Sequence, residues 1–471
     1  MQPQIPDSED ISRLKVTVMG LGVNGGGLAS ARFFASRGAA VTVTDMRGRE
    51  ALASSIDALK GFDIRYVLGR HELPDFEKAD IVIKNPAVRP DSPYIKAAKR
   101  VETDISYFLR LNPGTVIAVT GSKGKSTTTS AIYHCLKAAG RHAFIGGNIT
   151  VSPLSFIDEV RPGDPVVLEL SSWQLADLKG MGVLRPLVAI CTSMMSDHMN
   201  RYHSMEEYMA DKKLIFADQD PSCYTVLNYD DEWNRRFALE TKGSVRWYAD
   251  SPRPGENCAW LEADGRGYCS PDGSRAAAEQ IVPAGLLVPG AHQRKNMLAA
   301  GLALRTYGLE AEKICQGLAS FAGVEHRLEF FAEKNGVRWY NDSAATIPQA
   351  AAAALSSFSA PIVIICGGSD KNLDFAPMAT PLSRAKSVIL LKGEGSERIR
   401  ALLDAAGTRY EGPFDTLEDA VKCAAAKTAS GDIALLSPGC ASFGMFANEF
   451  DRGLKFKAMV RKVLGIQTDP A

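Results

Sequence analysis

Short apolar runs alternate along the chain with glycine-rich or polar turns and helix-like segments. The runs fall into three clusters of three. In the first cluster the runs start at Lys15, Val41 and Asp80, in the second at Thr115, Pro165 and Pro186, and in the third at Pro361, Ser387 and Asp432. Strands that alternate with helices in this way are typical of parallel sheets with helices on both faces. The pattern predicts an α/β protein of three domains, each a mainly parallel sheet flanked by helices.

Breaks in the alternation indicate where the domains meet. One turn, at residues 111–114, separates the first cluster from the second, and another, at residues 321–323, separates the second from the third. The predicted domains are residues 1–112, 113–322 and 323–471. Residues 250–280 are rich in Gly, Pro, Ser and Asp, so we expect a loop or hairpin there, at the edge of the middle domain.

Composition and charge narrow the range of partners. The chain has 54 Lys plus Arg and 54 Asp plus Glu residues, so bulk charge favours neither nucleic acid nor an anionic membrane. The N-terminal sequence MQPQIPDSED lacks the apolar segment of a secretory signal, and no run of about 18 apolar residues predicts a membrane span. The nine cysteines are odd in number and form no CxxC pair, which argues against a disulfide framework and a zinc ribbon. Most of them lie in apolar stretches, and a reducing cytoplasm is the expected compartment.

A phosphate-binding loop is the most specific motif. The sequence TGSKGKST, at residues 120–127, follows a strand-like run and opens a helix-like segment. Backbone N–H groups of such a loop surround phosphate oxygens, and the helix N-terminus adds a favourable dipole. Lys125 can reach the β- and γ-phosphates, and the hydroxyl of Ser126 or Thr127 can bind Mg²⁺. The loop departs from GxxxxGK[ST] because Val119 stands where the first glycine would be.

A second glycine loop, GLGVNG, occupies residues 20–25 after the first strand-like run. It matches GxGxxG, and Asp45 ends the next strand twenty residues after Gly25. This combination is typical of a dinucleotide site, in which the acid binds a ribose hydroxyl. The loop would equally fit the diphosphate of a UDP-sugar, with Arg47 near a phosphate or hydroxyl. An NAD site and a UDP-sugar site are both compatible with these residues.

Polar residues follow two apolar runs of the middle domain. Glu169 ends one run beside the phosphate loop, where an isolated acid is costly unless it is paired or binds a metal. His198 lies in SDHMNRY after the next run, in a position that suits a metal ligand. Lys212 and Lys213 follow in a helix-like stretch, and their chemistry alone indicates only a solvated helix face.

The last third contains four further motifs, EHRLE, NDSAAT, GGSDK and SPGCASF. Most follow strand-like runs, where open α/β sheets bind their ligands. Arg327 suits a phosphate, and Lys371 suits a carboxylate.

Taken together and in this order, the motifs TGSKGKST, LELSS, SDHMNRY, GAHQRKN, EHRLE, NDSAAT, GGSDKNLDF and SPGCASF resemble those of the Mur ligases of peptidoglycan synthesis. The resemblance runs from about residue 15 to about residue 460 and is greatest to the branch that adds D-glutamate to UDP-N-acetylmuramoyl-L-alanine. It implies an ATP-dependent amide ligase with a Rossmann-like N-terminal domain for the UDP-substrate, a P-loop ATPase-like central domain, and a Rossmann-like C-terminal domain for the amino acid.

The resemblance also implies residue roles. The ATP side would comprise Gly121, Ser122, Lys123, Gly124, Lys125, Ser126, Thr127, Asn148, Asn296, Arg327 and Asp342. Two Mg²⁺ ions would be held by Ser126, Glu169, His198 and a carbamylated lysine, which is Lys212 by the Tyr-x-x-x-Lys spacing and Lys213 by counting from the histidine. The catalytic residues would be Lys125, His198 and Lys212.

Two substrate sides follow from the same resemblance. The UDP side would comprise Gly20, Gly22, Asn24, Asp45, Arg47 and Asn85, and the glutamate side Thr346, Lys371, Ser442 and Phe443. The chain departs from the family at Ala344, where a lysine is common, and at Gly444, where an aspartate is frequent. These departures bear on which amino acid is accepted.

The implied reaction forms an acyl phosphate on the alanyl carboxylate, which the amine of glutamate then attacks. We expect a cytoplasmic monomer whose third domain closes on the others. Three alternatives remain at this stage: a Mur-type ligase for another amino acid such as L-glutamate, an NAD-dependent oxidoreductase, and a non-catalytic nucleotide-binding module.

Overall fold

Three β-sheets carry the strand–helix alternation. The computed structural model describes residues 10–22, 25–197, 199 and 201–466, so the predictions for Asn24 and His198 lie outside the described residues. The chain divides into two units, one of Met1–Ala284 with Asn296–Leu318 and one of Gly285–Lys295 with Ala319–Ala471. The first unit contains two sheets and the second unit contains the third.

The first sheet has five parallel strands in the order β3-β2-β1-β4-β5. Its strands are β1 (Lys15–Met19), β2 (Ala40–Asp45), β3 (Ile64–Leu68), β4 (Ile81–Lys84) and β5 (Val101–Glu102). Its helices are α1 (Gly26–Ser36), α2 (Ala53–Asp57), α3 (Leu73–Glu77), α4 (Pro93–Ala97) and α5 (Asp104–Leu111). The strand order reverses between β1 and β4, and ligands of open α/β sheets bind at such a point.

The second sheet has nine strands in the order β14-β13-β12-β11-β10-β9-β6-β8-β7. Its strands are β6 (Thr115–Thr120), β7 (Phe144–Gly147), β8 (Pro165–Glu169), β9 (Val188–Cys191), β10 (Tyr224–Asn228), β11 (Ser244–Ala249), β12 (Cys258–Leu261), β13 (Gly267–Ser270) and β14 (Glu279–Val282). Helices α6 (Lys125–Ala138), α7 (Ser172–Asp177), α8 (Met205–Lys212), α9 (Glu232–Ala238), α10 (Ala291–Tyr307) and α11 (Ala311–Ser320) accompany it. The strands β8 and β9 are buried along their whole length, as expected of strands covered on both faces.

The hairpin expected within residues 250–280 is confirmed. Strand β13 pairs antiparallel with β12 on one side and with β14 on the other, and β12 joins the parallel sheet through β11. The hairpin therefore widens the sheet at the edge farthest from β7, so it lies away from the phosphate loop that follows β6.

One hydrophobic core continues from the first sheet into the second. It includes Val18 and Phe34 beside the first sheet and Leu168 beside the second. At the junction, Phe108 of α5 lies edge-on to Phe156, with ring centroids 5.7 Å apart. The two sheets of the first unit therefore share buried apolar surface.

The third sheet has six strands in the order β15-β16-β20-β17-β18-β19, of which β15 is antiparallel. Its strands are β15 (Glu329–Lys334), β16 (Val337–Asn341), β17 (Ile362–Cys366), β18 (Ser387–Leu391), β19 (Tyr410–Phe414) and β20 (Ile433–Leu436). Its helices are α12 (Pro348–Leu355), α13 (Ala376–Ser383), α14 (Glu394–Ala405), α15 (Leu417–Lys427) and α16 (Glu449–Leu464). The prediction of three mainly parallel α/β sheets is confirmed.

Most cysteines are buried, as their position in apolar stretches of the sequence indicates. All nine lie in the described part of the chain as free thiols, and seven of them are buried. Within that part of the chain, no helix combines the length and apolar character needed to cross a bilayer.

Candidate active site

The phosphate loop connects the buried strand β6 to helix α6, as the sequence predicts. Gly121 and Gly124 have φ angles of +149° and +92°, a region of backbone space that favours glycine. Lys125 begins the helix, and its Nζ donates to the carbonyl oxygens of Gly121 at 2.9 Å and Ser122 at 3.2 Å. The loop thus folds around the ammonium group that would meet a phosphate.

Neighbouring segments hold this loop from outside. Ser122 Oγ donates to the carbonyl of Met195 at 2.8 Å, and Thr192 Oγ1 donates to the carbonyl of Lys123 at 2.7 Å. The side chain of Lys123 is exposed and lies 3.4 Å from Asp197 Oδ2. Ser122 and Lys123 therefore contribute backbone shape to the loop, whereas the ammonium of Lys125 is the one turned towards its interior.

Asn296, a residue of helix α10, contacts the phosphate loop. A Cβ atom built on Gly124 would lie 2.4 Å from Asn296 Oδ1, so the loop and the side chain are in direct contact. The two residues are 172 positions apart in the sequence. The structure thus brings together two of the predicted ATP-side residues. Ser126 and Thr127 occupy the first turn of α6 beside them.

Glu169 ends β8 and is 1% exposed. Its Oε1 accepts a hydrogen bond of 2.7 Å from Asn148 Nδ2, whereas its buried Oε2 has no hydrogen-bond partner among the described residues. A buried carboxylate oxygen without a donor is costly, and a Mg²⁺ ion would satisfy it because this cation prefers oxygen ligands. Glu169 therefore fits the predicted magnesium site.

Among the described residues, acids and histidines alone do not complete a set of metal ligands. Among residues 10–22, 25–197, 199 and 201–466, no group of three His, Cys, Asp or Glu side chains could hold a metal. A site at Glu169 would need other oxygen ligands, such as the Ser126 hydroxyl and phosphate oxygens.

Lys212 and Lys213 differ sharply in environment. Lys212 is 1% exposed at the end of α8, and its Nζ donates to the Gly121 carbonyl at 2.8 Å. Burial, followed by the nearby charge of Lys125, lowers the pKa of Lys212 to about 7. Lys213 instead pairs with Glu240 at 2.7 Å on the surface. Of the two lysines, Lys212 is therefore the one that is buried beside the phosphate loop.

Two cavities in the first unit meet at this point. The smaller, of about 200 Å³, is lined by Lys125, Asn148, Ser171, Ser172, Trp173, Tyr208 and Lys212. The larger, of about 350 Å³, extends from Asn148, Ser171 and Trp173 to Gly20, Asn85 and Asp104 beside the first sheet. Because three residues line both cavities, the phosphate loop and the first glycine loop open onto adjoining space.

The predicted UDP-side residues divide into two groups. Gly20 and Asn85 line the larger cavity and touch, since a Cβ on Gly20 would lie 3.3 Å from Asn85 Cβ. Asp45 does not line it. Its carboxylate accepts backbone N–H groups of Gly22 at 3.1 Å and Arg47 at 2.9 Å. Asp45 therefore shapes the glycine loop and the turn after β2.

In the second unit, the predicted motifs gather at the carboxyl ends of β16, β20 and β17, which are adjacent strands. Asp342 follows β16 and accepts hydrogen bonds from Ser437 Oγ at 2.6 Å and the N–H of Leu328 at 3.1 Å. Burial raises the pKa of Asp342 to about 7, against the opposing effect of those hydrogen bonds. Arg327, one residue before Leu328, contributes a positive charge to the surroundings of Asp342.

The predicted glutamate-side residues lie on two linked loops. The backbones of Ser369 and Ala441 exchange hydrogen bonds of 3.1 Å, which joins GGSDK to SPGCASF. Lys371 Nζ lies 5.3 Å from the ring centroid of Phe443, whose side chain is 60% exposed. Ser442 is buried beside Phe443 in the sequence.

Thr346 and Ala344 belong to the NDSAAT loop. The N–H of Thr346 donates to the carbonyl of Ala344 at 2.9 Å, and that of Ala344 donates to the carbonyl of His326 at 3.0 Å. This loop therefore packs against EHRLE. No cation stands at Ala344 itself, so Lys371 is the cation that the predicted residues supply on this side.

Sequence reasoning missed two features of the larger cavity. Trp173 lines both cavities, and Arg201 lies over its ring at 4.2 Å. Lys84, the residue before Asn85, is buried in an ion pair with Asp177. Lys84 could have been noticed because it is a charged residue at the end of the apolar run IVIK. The sequence contains no comparable signal for its partner, Asp177.

Comparison with known proteins agrees with this arrangement. Three family profiles match successive parts of the chain, namely the Mur ligase MurD-like N-terminal domain at residues 14–106, the Mur ligase middle domain at 119–304, and the Mur ligase glutamate ligase domain at 326–440. Among solved structures, the UDP-N-acetylmuramate–alanine ligase of Thermotoga maritima is 20% identical with a TM-score of 0.58, over 96% of this chain and 100% of that one. The MurF ligase of the same organism, in complex with ADP, is 18% identical with a TM-score of 0.56, over 97% and 99% of the two chains. Both share the fold.

Curated relatives are much closer in sequence. The UDP-N-acetylmuramoylalanine–D-glutamate ligase of Treponema pallidum (strain Nichols) is 42% identical, over 95% of this chain and 97% of that protein. The enzyme of the same name from Roseiflexus sp. (strain RS-1) is 40% identical, over 95% and 98%. With identity at this level along nearly the whole chain, the protein belongs to the Mur ligase family, in its UDP-N-acetylmuramoylalanine–D-glutamate ligase branch.

Proposed function

We propose that the protein joins D-glutamate to the alanyl carboxylate of UDP-N-acetylmuramoyl-L-alanine, with conversion of ATP to ADP and phosphate, in the cytoplasmic synthesis of cell-wall precursors. The family uses ATP and Mg²⁺. The observation that carries the proposal is the adjoining pair of cavities, because the reaction requires the substrate carboxylate to meet the γ-phosphate of ATP. The smaller cavity contains Lys125 and the larger one reaches Gly20 and Asn85.

The UDP-substrate would enter from the first glycine loop. Gly20, Gly22, Asn24 and Asn85 would be on the diphosphate side, and Asp45 and Arg47 on the uridine side. Asp45 supports this arrangement indirectly, since it holds the backbone of Gly22 in place. The alanyl end would then extend past Asn148 and Trp173 towards the phosphate loop.

ATP would be held by the loop at residues 121–127. The N–H groups of the loop and the N-terminus of α6 would bind the phosphates, and the ammonium of Lys125 would move from the Gly121 and Ser122 carbonyls to phosphate oxygens. Asn148 and Asn296 would contact the nucleotide, and the family resemblance also assigns Arg327 and Asp342 to the ATP side. This movement of Lys125 is favourable because an ammonium group makes stronger hydrogen bonds to anionic phosphate oxygens than to neutral carbonyl oxygens.

Glu169 and Ser126 would hold one Mg²⁺, and His198 with a carbamylated Lys212 a second. When bound, the ions would offset repulsion between carboxylate and triphosphate, which at 4 Å and an effective dielectric of 20 is about 4 kcal/mol per pair of charges. Lys212 suits carbamylation because its lowered pKa leaves a neutral amine near pH 7. Asn148 would keep Glu169 oriented through its 2.7 Å hydrogen bond.

The reaction needs no covalent bond to the protein. The alanyl carboxylate oxygen attacks the γ-phosphorus and ADP leaves, which gives an acyl phosphate. The amine of D-glutamate then attacks the carbonyl carbon and phosphate leaves. The protein positions these groups and neutralises their charge, with Lys125 next to the transferred phosphoryl group. On the second unit, Lys371 would bind a carboxylate of D-glutamate, with Thr346, Ser442 and Phe443 around it.

Phosphate release from ATP, measured with UDP-N-acetylmuramoyl-L-alanine and D-glutamate, L-glutamate, meso-diaminopimelate or L-lysine, tests the proposal. We expect turnover with D-glutamate only and a loss of at least about a hundredfold in Lys125→Ala. Lys137→Ala is the matched control because this lysine is exposed in the last turn of α6, away from the loop. Turnover only with another amino acid would transfer the protein to a different branch. We further propose that the enzyme acts as a monomer, which light scattering would test.

A further inference from the structure

A buried ion pair joins the first sheet to the second. Lys84, the last residue of β4, and Asp177, the last residue of α7, lie 2.8 Å apart and are 4% and 7% exposed. The two residues are 93 positions apart in the sequence. Exposed ion pairs contribute little to stability, but a buried pair whose partner is lost leaves an uncompensated charge. This pair therefore constrains the two elements strongly.

Lys84 also organises the turn that follows it. Besides its bond to Asp177, its Nζ donates to the carbonyls of Val88 at 3.0 Å and Asn85 at 3.4 Å. The turn, residues 85–88, is closed by the N–H of Val88 on the Asn85 carbonyl at 2.9 Å. Three acceptors thus surround one ammonium group, which holds the backbone of this turn in place.

The two ends of this ion pair belong to two segments that both line the larger cavity. Lys84, Asn85, Pro86 and Ala87 contribute to the lining from one segment, and Ser171, Trp173 and Gln174, just before Asp177, contribute from the other. The spacing of these segments determines whether a diphosphate-linked sugar can touch both. Neither Lys84 nor Asp177 is among the residues that line the smaller cavity with Lys125.

Without Lys84, the negative charge of the Asp177 carboxylate would be in an unfavourable environment. This carboxylate lies at the C-terminal end of a helix, where the helix dipole is unfavourable to negative charge. Burial raises its pKa, and Lys84 is the largest opposing influence. The pair is thus costly to bury, and buried pairs of this kind can serve specificity rather than stability.

We propose that Lys84 and Asp177 are positioning residues for the UDP-linked substrate, because their ion pair holds the turn at residues 85–88 against the start of α7 and so sets the width of the cavity. This inference rests on the proposed function, since it assigns the larger cavity to that substrate. Loss of the pair lowers affinity for the UDP-linked substrate and leaves ATP binding unchanged.

Three variants separate positioning from stability. Asp177→Asn keeps the shape of the side chain and the two bonds from Lys84 to its own turn, whereas Lys84→Met loses all three bonds. The double variant Lys84→Met with Asp177→Leu removes both charges, so no unpaired charge is buried. Arg65→Met is the control, since it breaks a 2.5 Å ion pair with Asp75 in the same domain but outside the cavity lining.

The measurements are the Kd of UDP-N-acetylmuramoyl-L-alanine by calorimetry, KM for ATP, kcat and Tm. We expect Kd to rise about tenfold in Asp177→Asn and more in Lys84→Met, with KM for ATP within about twofold of wild type. In the double variant, Tm should recover while Kd stays high, and Arg65→Met should keep the wild-type Kd.

Two results would overturn the inference: a Kd that recovers together with Tm in the double variant, or single variants whose Kd stays within about twofold of wild type. If one single variant does not fold, the other and the double variant still decide between these outcomes. A wild-type protein that does not bind the UDP-substrate would instead refute the proposed function itself.

Discussion

Lys125 and Lys212 donate hydrogen bonds to the same acceptor, the carbonyl oxygen of Gly121, at 2.9 Å and 2.8 Å. Two ammonium groups on one carbonyl repel each other, and the charge of Lys125 is the second largest cause of the lowered pKa of Lys212, after burial. The relationship explains how a lysine can offer a neutral amine at physiological pH.

Lys212 should therefore react with carbon dioxide in a pH-dependent way. Carbamate forms only on the neutral amine, so labelling with ¹³C-bicarbonate should rise as the pH increases through about 7. Carbon NMR should show the carbamate signal in wild type and in Lys213→Ala, because Lys213 is an exposed partner of Glu240. The signal should be absent in Lys212→Ala, and its persistence there would refute the assignment.

Glu169→Gln should raise the Mg²⁺ requirement. The substitution removes the charge of a carboxylate whose buried Oε2 has no hydrogen-bond partner among the described residues. We expect the Mg²⁺ concentration for half-maximal phosphate release to increase at least about tenfold. Glu159→Gln, at an exposed position of the same domain, is the control. Equal Mg²⁺ titrations for the two variants would exclude Glu169 as a ligand.

Gly124→Ala should impair ATP binding beyond its effect on stability. A Cβ at Gly124 would lie 2.4 Å from Asn296 Oδ1, whereas one at Gly140 would meet no atom within 4 Å. Both glycines have positive φ, so either alanine costs about 1–2 kcal/mol of strain. Urea unfolding should show this loss of stability in both Gly124→Ala and Gly140→Ala. KM for ATP should rise about tenfold in Gly124→Ala alone. A similar KM in both variants would mean that Asn296 plays no part.

Asp342 should make stability fall as the pH rises. Its pKa is about 7 in the folded protein and near 3.8 when unfolded, so the folded state holds an extra proton between these values. The contribution to stability is complete below about pH 4 and is lost as the pH rises through 7. Relative to Asp342→Asn, the free energy of unfolding of wild type should therefore decrease by a few kcal/mol from pH 4 to pH 8.

Asp370→Asn provides the contrast for that experiment. The pKa of Asp370 is lowered, chiefly by a hydrogen bond from Arg398, so its contribution is lost only as the pH falls below about 4. The difference between wild type and Asp370→Asn should stay flat from pH 4 to pH 8. An equally flat difference for Asp342→Asn would show that Asp342 is ionised in the folded protein.

Local patterns were sufficient to predict the elements around the phosphate loop. The run before Gly121, the glycines and Lys125 are consecutive, so strand, loop and helix could be recognised together. Glu169 was predictable for a similar reason, because an acid at the end of an apolar run needs a partner.

Residue pairs distant in sequence could not be predicted in this way. The contact of Gly124 with Asn296 and the ion pair of Lys84 with Asp177 depend on how whole elements pack. The choice between Lys212 and Lys213 also required the structure, since adjacent helical residues point about 100° apart. Only packing shows which of the two is buried.

The hydrophobic core that continues through the first two sheets has a consequence for protein engineering. Because Phe108 of α5 packs on Phe156, a fragment ending near residue 112 would expose an aromatic surface to water. The parts of this unit built on the first and second sheets should then melt in one cooperative step and resist separation into soluble pieces. A minimal fragment for screening inhibitors of the proposed UDP site must retain both sheets.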